Sequence, residues 1–157
     1  MSMQCFLATV KPLQKTFYKY KDILPTIVPE DLFYGYGISF DSELSDAERL
    51  AIGNIFKGFC CYAVRSEFKL DYNPRYRRVI SEKYAVNALE ELKWFRAFVE
   101  KKLFQQNGIM IVNLWLGKIT DFKAVITEPI DINSWELSSE KPWKFEYGVV
   151  YKFINNK

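Results

Sequence analysis

The chain has 157 residues, of which 49% are apolar and 17% aromatic, with 22 Lys and Arg against 19 Asp and Glu and no histidine. This length fits a single globular domain, residues 1–157, that needs no disulfide or metal to stabilise its core. Without histidine, Ser-His-Asp and Cys-His catalysis and histidine-ligated zinc are excluded, and we expect neither a metal ion nor a cofactor.

The first part of the chain contains two strand candidates, residues 4–10 and 32–40. A helix is predicted over about 45–58, because Ser45 and Glu48 form a capping-box pattern and apolar residues follow at helical spacing. A further strand is predicted over residues 59–68.

A longer amphipathic helix is predicted over about 81–106, with Ser81 as its N-cap. Glu90 and Glu91 are expected on its exposed surface. The apolar stripe of this helix consists of Ala85, Ala88, Leu89, Leu92, Phe95, Val99 and Leu103.

The last part of the chain is predicted to form strands. Residues 109–116 are apolar on both faces except for Asn113, which indicates a central strand and a polar side chain bonded to a bulge or loop, or marking a ligand cavity. A tight turn then predicts a hairpin into residues 119–127. Strict alternation over residues 143–154 predicts one long antiparallel strand.

These elements together predict an α+β fold. We expect an antiparallel sheet of about five to six strands with the two helices, about 45–58 and 81–106, packed on one face.

The cysteines and the hydropathy indicate a cytoplasmic protein with no membrane contact. Cys5, Cys60 and Cys61 are odd in number and two are adjacent, which is not typical of a disulfide framework. Cys60 and Cys61 are expected on opposite faces of a strand. The chain has neither a secretory signal pattern nor an apolar run of about 20 residues.

Charge is segregated along the chain. Residues 22–48 contain seven acids and no base, and the same segment carries a tyrosine-rich stretch. Tyrosine is enriched at protein interfaces, and an acidic patch complements a basic partner such as a toxin domain. The partner-binding residues predicted here are Asp31, Tyr34, Tyr36, Asp41 and Glu43.

A basic, tyrosine-containing cluster follows near the middle of the chain. Arginine and tyrosine interleaved in a loop can contact phosphates and stack on bases, so the cluster is an alternative anion or nucleic-acid contact. Its residues are Tyr72, Arg75, Tyr76, Arg77 and Arg78.

The sequence favours a non-enzymatic protein-binding module, of the inhibitor, antitoxin or toxin-immunity type, that neutralises a partner by covering its active surface. The alternative is a protein that binds nucleic acid or an anionic ligand through the basic cluster. A second alternative is a small histidine-free enzyme that uses carboxylates, although no spacing singles out a catalytic pair.

Overall fold

The computed structural model describes ten secondary-structure elements in residues 3–11, 37–39, 46–56, 59–66, 68–104, 106–115 and 125–157. The strands are β1 (Met3–Thr9), β2 (Gly37–Ser39), β3 (Cys60–Arg65), β4 (Ile109–Trp115), β5 (Val125–Ile126), β6 (Ile130–Asp131) and β7 (Val149–Ile154). The helices are α1 (Asp46–Ile55), α2 (Tyr76–Val79) and α3 (Glu82–Leu103). Within these ranges, none of the helices is both long and apolar enough to cross a lipid bilayer.

The strands form a mixed sheet in the order β2-β3-β1-β4-β7-β5, and β6 also pairs with β7. β4 lies between β1 and β7, as predicted for a central strand. Every pairing is antiparallel except those of β5 and β6 with β7, which are parallel. The α+β class is therefore confirmed, but the prediction of a purely antiparallel sheet is wrong. The connection between β6 and β7, residues 132–148, is longer than the dozen or so residues needed to join two parallel strands.

β5 and β6 are two pieces of one edge. Val125 is opposite Val149, and Ile130 is opposite Phe153 further along the same side of β7. Pro129, which has no N–H to donate, lies between the two pieces. The hairpin predicted over 109–127 is wrong in its described part, because β5 pairs with β7 rather than β4.

The long strand predicted over 143–154 is shorter in the structure. The amide of Val149 donates to the carbonyl of Glu146 at 3.2 Å, and Gly148 between them has φ of 77°. This φ is typical of the third position of a type II turn, which glycine adopts without strain. The chain therefore turns before β7, and Trp143 and Tyr147 make only isolated bridges.

The two predicted helices are present with somewhat different ends. Ser81 caps α3, since its Oγ accepts a hydrogen bond from the amide of Tyr84 at 3.0 Å. α1 lies within the predicted 45–58, whereas Ser45 lies outside the described residues.

The helices contact opposite faces of the sheet. α3 packs against the face that carries Leu7 and Ile111. Ile55 and Phe56, at the end of α1, join the cluster on the other face with Val112. The prediction that both helices share one face is therefore not confirmed, and the central strands, which are apolar on both sides, need cover on each side.

The predictions for Asn113 and for the adjacent cysteines are confirmed in the structure. The Asn113 side chain donates to the carbonyl of Phe145 at 3.1 Å, so it bonds to a loop. Cys60 and Cys61 pack against clusters on opposite faces, and none of the three described cysteines is in a disulfide.

Glu91, predicted on the surface of α3, is fully buried. Its carboxylate accepts hydrogen bonds from Ser66 Oγ and from the amides of Phe68 (3.0 Å) and Leu70 (2.9 Å). Lys69 and Leu70 have φ of 57° and 53°, a conformation that side chains rarely adopt. The buried carboxylate, together with Ser66 Oγ, which also accepts from the Leu70 amide at 3.0 Å, therefore holds this strained turn.

Replacing Glu91 with alanine should lower the free energy of unfolding by about 2 kcal/mol or more, because the Phe68 amide loses its acceptor and the Leu70 amide keeps only Ser66 Oγ at 3.0 Å. Urea unfolding measures this change. The matched control is Glu90→Ala, which removes only a surface ion pair with Lys93 and should cost less than about 1 kcal/mol. Equal effects of the two substitutions would contradict the assignment.

Candidate functional site

A surface cleft lies directly after the turn that Glu91 holds. The backbones of Tyr72 and Trp143 are joined by two hydrogen bonds of 2.9 and 2.8 Å, which set residues 71–73 beside residues 142–144. We call this depression of about 490 Å³ the Asp71 cleft. It is lined by Asp71, Tyr72, Asn73, Tyr76, Pro142, Trp143, Lys144 and Glu146.

Both tyrosines of the predicted basic cluster are committed to internal contacts. Tyr72 is buried, and its hydroxyl donates to the carbonyl of Ser139 at 2.6 Å. Tyr76 is half-buried, donates to Asp71 Oδ2 at 2.9 Å, and meets the Tyr84 ring edge-on. The ring of Tyr72 therefore has no face open for a base to stack upon.

The arginines of the same cluster reach solvent on α2. Asn73 Oδ1 accepts from the amide of Arg75 at 3.0 Å, which orders the chain just before the helix. Arg77 lies 3.6 Å from a Glu82 carboxylate oxygen, with both side chains exposed. Among the described residues, Arg75 and Arg78 form no salt bridge, so their charges are available to a partner.

Apolar side chains lie beside these arginines. Val79 is 69% exposed and Ile80 is 53% exposed, and Val86, near the start of α3, is also exposed. Exposed apolar side chains grouped together and rimmed by charge are typical of interaction surfaces. We call the exposed residues of α2, its flanks and the start of α3 the α2 patch: Arg75, Arg77, Arg78, Val79, Ile80, Lys83 and Val86.

The Asp71 cleft has perturbed electrostatics. Burial raises the pKa of Asp71, an effect that the hydrogen bond from Tyr76 and the charge of Lys144 oppose and the charge of Glu146 reinforces. Burial and the bond to Asp71 raise the pKa of Tyr76 to about 12. Burial also raises the pKa of Tyr84.

This arrangement is suited to binding a polar group and to exchanging a proton at Asp71. Asp71 and Glu146 are the two carboxylates that line the cleft, the kind of pair that a histidine-free acid–base site requires. In the part of the chain that the structure describes, no three Cys, Asp or Glu side chains converge in a way that could hold a metal ion.

The residues predicted to contact a protein partner are not among those described. Asp31, Tyr34, Tyr36, Asp41 and Glu43 all lie in the undescribed part of residues 12–45.

The structure adds residues that the sequence did not single out. Val79 and Ile80 follow three near-consecutive arginines and precede the predicted Ser81 cap, so this apolar pair in a polar stretch was a signal available in the sequence. Asp71 and Glu146 carried no such signal, because they are far apart in sequence.

Comparison with protein-family models, with characterised proteins and with solved structures finds no match for this chain.

The raised pKa of Asp71 predicts a pH-dependent stability. The folded protein binds the proton of the Asp71 carboxyl more tightly than the unfolded chain does. The contribution of this carboxyl to the free energy of unfolding is therefore fully present below about pH 3.8 and is lost as the pH rises through the folded-state pKa. The unfolding free energy of the native protein, relative to that of Asp71→Asn, should therefore decrease as the pH increases through this range.

Urea unfolding of both proteins at intervals from about pH 3.5 to about pH 7 measures this difference. Asp46→Asn, which removes an exposed carboxylate on α1, controls for the loss of one negative charge. A difference between the native protein and Asp71→Asn that grows with pH would show that ionised Asp71 stabilises the fold instead.

Proposed function

We propose that this protein is a non-enzymatic binding module that acts by covering the surface of another protein. The observation that carries the proposal is the α2 patch, in which Val79 and Ile80 are exposed between Arg78 and Lys83, two cations that form no salt bridge in the described part of the chain. Two β-branched side chains in water at the end of a short helix contribute little to the fold. When a partner covers them, their apolar surface leaves water, which is favourable by about 25 cal/mol per Å².

The composition of the α2 patch favours a protein partner over a nucleic acid. Phosphates and base edges satisfy arginine, but a duplex or single strand offers little apolar surface to valine and isoleucine. A partner that carries a small apolar patch with acidic residues around it matches both features.

Within this class, an inhibitor, antitoxin or immunity protein is the proposed role. The support is the segregation of charge along the chain, with seven acids and no base in residues 22–48. In this proposal Asp31, Asp41 and Glu43 face a basic surface of a toxin domain, and Tyr34 and Tyr36 supply contact area.

Binding of an anion or nucleic acid is the second candidate, and Arg75 and Arg78 favour it. Their exposed guanidinium groups, with no ion pair in the described ranges, are suited to bidentate contact with phosphate. Catalysis by carboxylates is the third candidate, and the Asp71 cleft with Glu146 is where it would take place.

The double substitution Val79→Ser with Ile80→Ser should reduce capture of the partner about tenfold or more, because a partner can no longer bury the apolar centre of the patch. Both side chains are exposed, so the unfolding free energy should change by less than about 0.5 kcal/mol each. Affinity capture with quantitative mass spectrometry, comparing the native and substituted proteins, measures the loss.

Ile126→Ser is the matched control, since Ile126 is 76% exposed and lies on β5 outside the patch. It should leave capture unchanged. The second candidate would be favoured instead if the protein shifts an oligonucleotide pool in a gel, if this binding is lost when Arg75, Arg77 and Arg78 are replaced, and if the serine substitutions leave it unchanged.

Charge reversal at Asp31, Asp41 and Glu43 should slow association with a basic partner and weaken its dependence on salt. Surface plasmon resonance at two ionic strengths measures both effects. Unchanged association kinetics would remove the acidic segment from the interface and leave the α2 patch as the proposed contact.

A further inference from the structure

A second, larger cleft lies at the other end of α3. It measures about 710 Å³, within the range of roughly 300 to 1,000 Å³ typical of small-ligand sites. The end of α3, residues 106–107, Lys11 and residues 154–157 contribute to its walls, so we call it the α3-end cleft. It shares no lining residue with the Asp71 cleft.

Side-chain amides fix the walls of this cleft. The buried Gln106 accepts from the amide of Lys11 at 2.8 Å and donates to the carbonyl of the same residue at 2.9 Å. On the other side, Asn133 Nδ2 donates to Asn155 Oδ1 at 3.0 Å. Both walls are therefore held without a ligand, which lowers the entropic cost of binding one.

One wall presents an aromatic ring to solvent. Phe104, which follows the last residue of α3, is 82% exposed, the largest value among the large apolar side chains that the structure describes. A flat aromatic ligand would cover this ring, and stacking of a base on an aromatic side chain tolerates every base.

Two asparagine side chains with unused amide groups line the same cleft. Asn107 is exposed, and its side chain makes no hydrogen bond within the described ranges. Asn155 Oδ1 accepts two hydrogen bonds, whereas its Nδ2 donates none to the residues that the structure describes. The cleft therefore offers donors and an acceptor, the combination with which asparagine pairs to a base edge.

Two lysines also line the cleft. Glu100 is bound to Arg96 at 2.9 Å, so the charge of this carboxylate is neutralised. Lys11 and Lys157 are exposed and form no salt bridge in the described part of the chain. These lysines favour an anionic group on the ligand.

We propose that the α3-end cleft binds a nucleoside monophosphate, with the base on Phe104, its edge on the amides of Asn107 and Asn155, and the phosphate on Lys11. A simple aromatic carboxylate would satisfy the ring and the lysine but would leave the amides unpaired. A sugar phosphate would leave the ring uncovered. A nucleotide uses all three features together.

Isothermal titration of the full chain with AMP, GMP, CMP and UMP at low ionic strength tests the proposal. We expect saturable binding of at least one nucleotide. Phe104→Ala should weaken it about tenfold or more through loss of stacking. Lys11→Ala should weaken it and reduce its dependence on salt, since one phosphate contact is lost.

Ile126→Ala removes a comparably exposed apolar side chain outside the cleft and should leave the affinity unchanged. Urea unfolding verifies that each variant is folded. The proposal is overturned by no binding of any of the four nucleotides at millimolar concentration, by ribose 5-phosphate binding as tightly as a nucleotide, or by unchanged affinity in Phe104→Ala. None of these outcomes bears on protein binding through the α2 patch, which uses other residues.

Discussion

The buried carboxylate of Glu91 is the interaction on which the rest of the described site depends. A carboxylate is costly to remove from water unless hydrogen bonds replace its hydration, and here a hydroxyl and two backbone amides do so. The same bonds fix the left-handed residues Lys69 and Leu70, which direct the chain into Asp71 and α2. A polar group in the core thus positions a surface feature, because the amides of Phe68 and Leu70 both donate to its carboxylate.

The connection 132–148 is held to the core by a related device. Arg96 on α3 donates to the carbonyls of Trp135 and Ile132 at 2.8 and 3.0 Å, while the ring of Trp135 packs 4.8 Å from that of Phe153. Aromatic packing supplies the burial and the guanidinium satisfies the backbone. This connection brings Trp143 beside Tyr72 and so forms one wall of the Asp71 cleft.

The two proposed contacts lie at opposite ends of α3. A helix of 22 residues spans about 33 Å, so the α2 patch and the α3-end cleft are too far apart for one small ligand to touch both. Their chemistry also differs, since one exposes valine and isoleucine among arginines and the other exposes a ring among amides. Effects of substitutions at the two places should be additive, because such separated sites share no partners.

Local pattern determined much of this protein: the helices α1 and α3, the Ser81 cap, the central position of β4, and the opposite facing of Cys60 and Cys61. These features follow from periodicity and capping, which act over a few residues. Only the tertiary structure decided the parallel pairing of β5 and β6 with β7, the burial of Glu91 and the placement of Asp71 and Glu146 in one cleft. Those outcomes depend on contacts between residues distant in sequence, and neither the helical period nor the alternation of a strand encodes which distant segment a residue will meet. Composition excluded catalysis and zinc binding by histidine. The exposed residues of the α2 patch and the two clefts, in contrast, depend on the folded structure.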